Sequence, residues 1–127
     1  MILPEGNTSY YKLTVFQKTK ELVLLIYRIT KDFPKEEQFA LVSQMRRAAV
    51  SILANIVEGY SKNSTKEYIR FLNIAIGSST ELKIYLELSL DLNYLSTENY
   101  ARAQDLLTEV RKLLYTYQKS LRSRVKE

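Results

Sequence analysis

Apolar residues recur along most of the chain at alternating steps of three and four, the period of an α-helix with one buried face. In a first segment, 14–32, Val15, Leu22, Ile26 and Ile29 lead on to Phe33, and Phe16 and Val23 widen the stripe. Pro34 closes it, because the residue before a proline is pushed out of helical conformation. A second helix is predicted over 35–58, with Glu36 and Glu37 in its first turn, where the helix dipole favours anions. Gly59 then stands as the residue just past its end. The third segment, 64–92, opens on Ser64-Thr65-Lys66-Glu67, the pattern of a capping box, and Asn93 helps to stop it. In the fourth, 96–122, Tyr100, Ala103, Leu107, Val110, Leu114, Tyr117 and Leu121 step 3, 4, 3, 4, 3, 4, an unbroken heptad-like seam.

Only short connections separate these long segments, so consecutive helices are expected to lie antiparallel. The expected fold is all-α: one domain, 1–127, folded as an antiparallel up-down-up-down four-helix bundle with residues 1–10 as a loose lead-in. A bundle helix facing one core needs about three apolar positions in seven. Residues 36–58 hold 13 in 23 and residues 68–92 hold 14 in 25, more than one face requires. A helix that is apolar beyond one face wants a second partner, so self-association into a homo-oligomer is expected.

Set into these apolar helices are polar residues at helical spacing. Gln44, Arg47, Ser51, Asn55 and Glu58 form one stripe; Arg70, Asn73, Gly77, Ser78 and Glu81 form another. Folded back about the turn near Ser64, the two stripes would set Arg47 against Glu81, Ser51 against Gly77, Asn55 against Asn73 and Glu58 against Arg70. Buried charges must pair, so the arrangement is expected to be a structural polar seam that fixes register. An acid/base role for Glu58 and Glu81 fits poorly, because the same register puts them far apart along the bundle.

Composition narrows the chemistry. Cys and His are absent, which removes disulfides, thiol nucleophiles, imidazole bases and the usual zinc ligands. It also removes the carboxylate di-metal bundles that need Glu-x-x-His. No phosphate-binding loop, dinucleotide fingerprint or nucleophile elbow occurs. No catalytic residue, metal site or cofactor is therefore expected, and the protein is read as not an enzyme. No run of about 18 apolar residues is present, so no membrane partner is expected. Met1 to Gly6 lacks the shape of a signal peptide, which makes a cytoplasmic location the default expectation. Ten tyrosines could stack on bases, yet Tyr85, Tyr100 and Tyr117 fall on apolar stripes and are expected in the core or an interface.

The distribution of charge says more than the net +5. Residues 1–110 carry 13 basic and 13 acidic side chains, so the whole excess lies in 111–127. Such a segment suits nucleic acid or acidic lipid; it also complements the dipole at a helix C-terminus. Bundle topology brings the chain start, the second turn and the C-terminus to one end. That end, 1–18, 56–70 and 115–127, carries nine basic against four acidic residues; the other, 28–40 and 86–105, carries four against seven. A cyclic assembly would gather these into a basic and an acidic rim. Lys62, Lys66, Lys119, Arg122, Arg124 and Lys126 are the candidate contacts to an RNA or DNA backbone. A protein-interaction scaffold with no direct nucleic-acid role is the alternative.

The run Phe33-Pro34 to Glu37, then Ser43-Gln44-Met45-Arg46-Arg47-Ala48-Ala49-Val50-Ser51-Ile52, Ala54-Asn55-Ile56-Val57-Glu58-Gly59 and Gly77-Ser78-Ser79-Thr80-Glu81-Leu82, resembles a known family. It is similar to the four-helix-bundle proteins encoded in intervening sequences of the 23S ribosomal RNA gene, over about residues 12–120. The resemblance implies a four-helix bundle assembled into a homopentameric ring. A similar bundle is the accessory protein of diversity-generating retroelements, where it binds nucleic acid and a reverse transcriptase. The partners implied are therefore a second copy of the chain, RNA or DNA, and a reverse transcriptase or other protein. The label "ribosomal" reflects gene position and implies no place in the ribosome.

Overall fold

The computed structural model describes residues 9–125. Four long helices carry almost all of them: α1 (Thr14–Ile29), α2 (Leu41–Tyr60), α3 (Thr65–Asp91) and α4 (Thr97–Val125). Short 3₁₀ turns at Ser9–Lys12 and Lys35–Glu37 precede α1 and α2. No strand occurs among the described residues.

Local chemistry accounts for most of the helix ends. Ser64 accepts the Glu67 amide (3.3 Å) and so caps α3. The other half of the expected capping box is not made, because the Glu67 carboxylate turns forward to Arg70 (3.2 Å). Ser96 likewise accepts the Asn99 amide (3.0 Å) ahead of α4. At the end of α3, Asn93 takes a left-handed φ of 64°. The Tyr94 amide then reaches Ser89 O and the Asn93 amide reaches Leu90 O, both at 3.0 Å, which is a Schellman motif with Asn in place of Gly. Replacing Asn93 with Ala should cost about 1 kcal/mol, since alanine has no side chain to offset the left-handed conformation. The unfolding midpoint in denaturant reads this directly.

The second helix begins later than its sequence suggests. Residues 35–37 form a separate turn, Ala40 leaves helical conformation (φ −123°, ψ −102°), and α2 starts at Leu41. Glu37 still serves the helix dipole, but from outside: its carboxylate accepts the Leu41 amide (3.3 Å) and the Tyr94 hydroxyl (2.9 Å).

Each helix packs on two neighbours, α1 on α2 and α4, α3 on α2 and α4. Met45 meets Ser89, Ser51 meets Ser78, and Gly59 meets Tyr68, so residue numbers rise along α2 as they fall along α3. The α3–α4 contacts run in the same opposed sense, from Gln104 at Lys83 through Arg111 at Ser79 to Gln118 at Asn73. The α1–α2 contacts do too, from Arg46 at Thr30 to Tyr60 at Tyr10. One core lies between the four helices. Leu22, Ile26, Met45, Ile52, Ile56, Leu72, Leu82, Leu86, Leu107 and Leu114 are fully enclosed in it. The seven seam positions of α4 all pack into or against this core, Tyr100 and Tyr117 half-buried and the other five buried.

Gly59 is not the residue past the end of α2; it lies within the last turn, which Ser61 closes. It is buried, and a Cβ there would come within 2.7 Å of Tyr68 Cδ1 and 2.9 Å of Phe71 Cβ. The glycine thus lets α2 and α3 approach closely where the chain turns. Gly59→Ala should destabilise the fold by about 1–3 kcal/mol through overpacking, although alanine is the better helix former. A gain in the denaturation midpoint would refute this account of the contact.

Candidate nucleic-acid interface

One end of the molecule is formed by the last turn of α2, the first turns of α3 and the last turns of α4. An aromatic layer supports it. Tyr68 donates a hydrogen bond to the Tyr117 hydroxyl (3.0 Å), tying α3 to α4. Burial, and then the adjacent Tyr117, push the Tyr68 phenol well above the usual tyrosine range, so it stays a donor. Tyr60 meets Tyr68 edge-on at 6.0 Å, and Tyr10 meets Tyr60 at 6.2 Å. Tyr10 and Tyr11 both pack on Phe16 at 5.2 Å. These rings form a scaffold across the end of the bundle rather than a free stacking surface.

The cations sit on that scaffold in two groups. Lys62 and Arg70 flank the Phe71 ring, at 5.2 Å and 4.6 Å from its centroid. Both are already neutralised: Lys62 pairs with Glu58 (3.3 Å) and Arg70 with Glu67 (3.2 Å). The Arg70 guanidinium holds the Glu67 carboxyl below the usual range. Stability from this exposed pair is therefore present above the ordinary carboxylate pKa and lost as pH falls through the lowered one. The second group is Lys66, Lys119, Arg122 and Arg124, all exposed. Among the described residues, no carboxylate lies within ion-pair distance of any of them. Lys66 and Arg122 face each other across an open surface cleft of about 410 Å³, with Ile69 and Val125 as its apolar walls. Two unpaired cations across a shallow cleft suit a phosphate oxygen or two successive phosphates.

Of the six candidate contacts, the structure brings Lys66 and Arg122 together, places Lys119 and Arg124 on neighbouring turns of α4, and gives Lys62 to Glu58. Lys126 lies outside the described residues. Ile69 and Val125 were not anticipated; the signal was available, since Ile69 follows Lys66 by three positions on one helix.

The polar seam needs correcting. Ser51 and Ser78 do meet across α2 and α3, Oγ to Oγ at 2.8 Å, one residue from the expected register. Asn55 turns back onto its own helix, donating to Ser51 O (2.8 Å), instead of pairing with Asn73. Asn73 accepts from Gln118 of α4. Glu58 and Arg70 pair with Lys62 and Glu67 rather than with each other. Gln44, Arg47 and Glu81 are exposed, and no Arg47–Glu81 ion pair forms. The charged members of the two stripes, Arg47, Glu58, Arg70 and Glu81, are therefore exposed, while Ser51 and Ser78 meet between α2 and α3 and Ser78 is buried. The core face of α2 is instead Val42, Met45, Ala48, Ala49, Ile52 and Ile56. Gly77 does not face Ser51: it is exposed, and a Cβ there would meet nothing within 4 Å. A glycine inside a helix costs about 1 kcal/mol against alanine, and no packing contact within this subunit calls for it.

Four helices about a single core, with unpaired cations gathered at one end, define a class of small all-α protein. A family model of the 23S rRNA-intervening sequence proteins matches residues 11–116, and the chain belongs to that family. A solved structure from Bacteroides thetaiotaomicron VPI-5482, of a protein with unknown function from the S23 ribosomal protein family, is similar to it at 32% sequence identity and a TM-score of 0.77. The match covers 83% of this chain and 95% of that one. No curated protein matches the chain. Among the described residues, no helix is long and apolar enough to cross a membrane.

Proposed function

We propose that this chain is a non-enzymatic, cytoplasmic protein that binds the backbone of RNA or DNA through the basic end of an oligomer. Its subunit is an antiparallel up-down-up-down bundle, a reading supported by the opposed running of the contacts between neighbouring helices. The subunits close into a ring, a pentamer by family resemblance, so that each basic end joins a common rim. The observation that carries the reading is the group of four exposed cations at one end, Lys66, Lys119, Arg122 and Arg124, which have no carboxylate partner among the described residues and of which two share one cleft. What sets these four apart is position: they gather at one end of the bundle from two helices, α3 and α4. A rim of this kind docks phosphates without reading bases, so binding should be tolerant of sequence and steeply sensitive to salt. Such a module fits a ribonucleoprotein or a reverse-transcriptase accessory role.

The test is fluorescence anisotropy with a short structured RNA and with duplex DNA at low salt. Wild-type protein should bind both, and a variant with Arg28→Ser and Lys35→Ser at the opposite end should bind as tightly. Failure of the wild type to bind at low salt would contradict the reading. Specific capture of a protein that survives nuclease treatment would then favour the scaffold alternative.

A further inference from the structure

On the solvent side of α3, Ile74, Gly77, Glu81, Ile84 and Leu88 follow one another at steps of 3, 4, 3 and 4. This is the spacing of a seam made to meet another helix. Ile74, Ile84 and Leu88 are 41%, 47% and 45% exposed, so the subunit leaves nearly half of each uncovered. At the seam's second position stands Gly77, where a side chain would meet only open space. A glycine that its own subunit does not need, set between exposed isoleucines, allows a foreign backbone to come close. Glu81, at the centre, is exposed and has no cation at ion-pair distance among the described residues.

A matching surface lies elsewhere on the same chain. Between α1 and α2 runs an open groove that begins at a cleft of about 420 Å³ holding Tyr27, Phe39, Arg47 and Val50. From Val50 it continues past Leu53 and Val57 into a second cleft of similar size. Phe39 is 95% exposed, an unusual state for a phenylalanine held on a turn. Arg46 is occupied, donating to Thr30 Oγ1 (3.0 Å) and lying over Tyr27 (4.6 Å). Its neighbour Arg47 is exposed and has no carboxylate partner among the described residues. Between Val42 and Val57 on α2 the groove runs for roughly 22 Å, and the α3 seam from Ile74 to Leu88 for roughly 21 Å, at the helical rise per residue. The seam therefore fits within the groove. The one unpaired acid on the seam also answers the one unpaired guanidinium in the groove.

We infer that the α3 seam of one copy docks into the α1–α2 groove of a second copy of this chain, with Glu81 against Arg47. The two surfaces differ, so the contact is head-to-tail and repeats from subunit to subunit until a ring closes. The inference rests on the homo-oligomer reading and supplies its interface. It also assigns Gly77 a role: the two backbones approach there, and Ile74 and Ile84 pack on either side.

The test is the solution mass of the full-length chain by sedimentation equilibrium across a dilution series, with far-ultraviolet circular dichroism as a control for folding. Gly77→Gln should raise the dissociation constant of the assembly at least tenfold while the helical signal is unchanged or rises. Glu81→Arg should do the same, and Arg47→Glu added to Glu81→Arg should restore most of the assembly. An oligomeric wild type whose mass neither Gly77→Gln nor Glu81→Arg alters would overturn this interface and leave the ring reading standing. Failure of the double reversal to restore assembly would also overturn it. A monomeric wild type would overturn both.

Discussion

With Lys119, Arg122 and Arg124 replaced by serine, affinity for a short structured RNA should fall about a hundredfold near 0.15 M salt. The figure follows from counterion release: each phosphate neutralised on duplex contributes about 0.9 to the slope of log affinity against log salt. At that salt one contact is worth about fivefold in affinity, so three compound to about a hundredfold, and the slope should flatten by nearly three. Substitution is the right instrument here rather than truncation. α4 continues to Val125, and Leu121 within this stretch is buried, so removing 119–127 would take part of the core with the charges. All three side chains to be replaced are exposed. An affinity unchanged by the triple substitution would assign these residues to solubility and to the dipole of α4.

Leu82→Ala should destabilise the subunit by about 2–5 kcal/mol, the range for emptying a fully enclosed leucine site in a packed core. Leu82 has no exposed surface, and it sits on α3 among Ala75, Ser79 and Leu86, which are enclosed as well. A domain of this size has only about 5–15 kcal/mol of stability in all, so the loss is a large part of it. The informative comparison is Ile84→Ala, two residues on. Ile84 faces solvent, so the same chemical deletion should stay within about 0.5 kcal/mol for the isolated subunit. Urea denaturation at concentrations where the chain is monomeric separates the two. Equal losses would mean that α3 is rotated from the position described.

The fold was largely legible because the chain keeps helical period almost throughout. The α4 seam from Tyr100 to Leu121 was readable residue by residue, and it packs as its spacing says. Ser64 and Asn93 announced the two ends of α3 for reasons of local chemistry alone. The late start of α2 was not legible: Gln38, Phe39 and Ala40 are ordinary helix formers, and the break depends on the Glu37 carboxylate capping Leu41. Gly59 looks like a helix terminator because glycine usually is one; its real constraint is Tyr68, on the next helix and against it in space. The polar stripes failed for a different reason. Period shows which residues share a face, but not which face turns inward. On α2 the small residues Ala48 and Ala49 carry the core, while the more eye-catching Arg47 and Glu58 face water. The basic end was legible from charge and connectivity. Which cations stay unpaired was not, since that rests on the rotamers that join Lys62 to Glu58 and Arg70 to Glu67.

The central claim is that several subunits together present phosphate-binding cations on one rim. It is tested most directly by a salt titration of wild-type binding to duplex DNA, read as the slope of log affinity against log salt. The basic end of one subunit offers four cations, Lys66, Lys119, Arg122 and Arg124, that have no carboxylate partner among the described residues. A single subunit using all of them would reach a slope of about −3.6. An oligomeric rim predicts a steeper slope than that. A slope near zero, or no binding at low salt, would contradict the account.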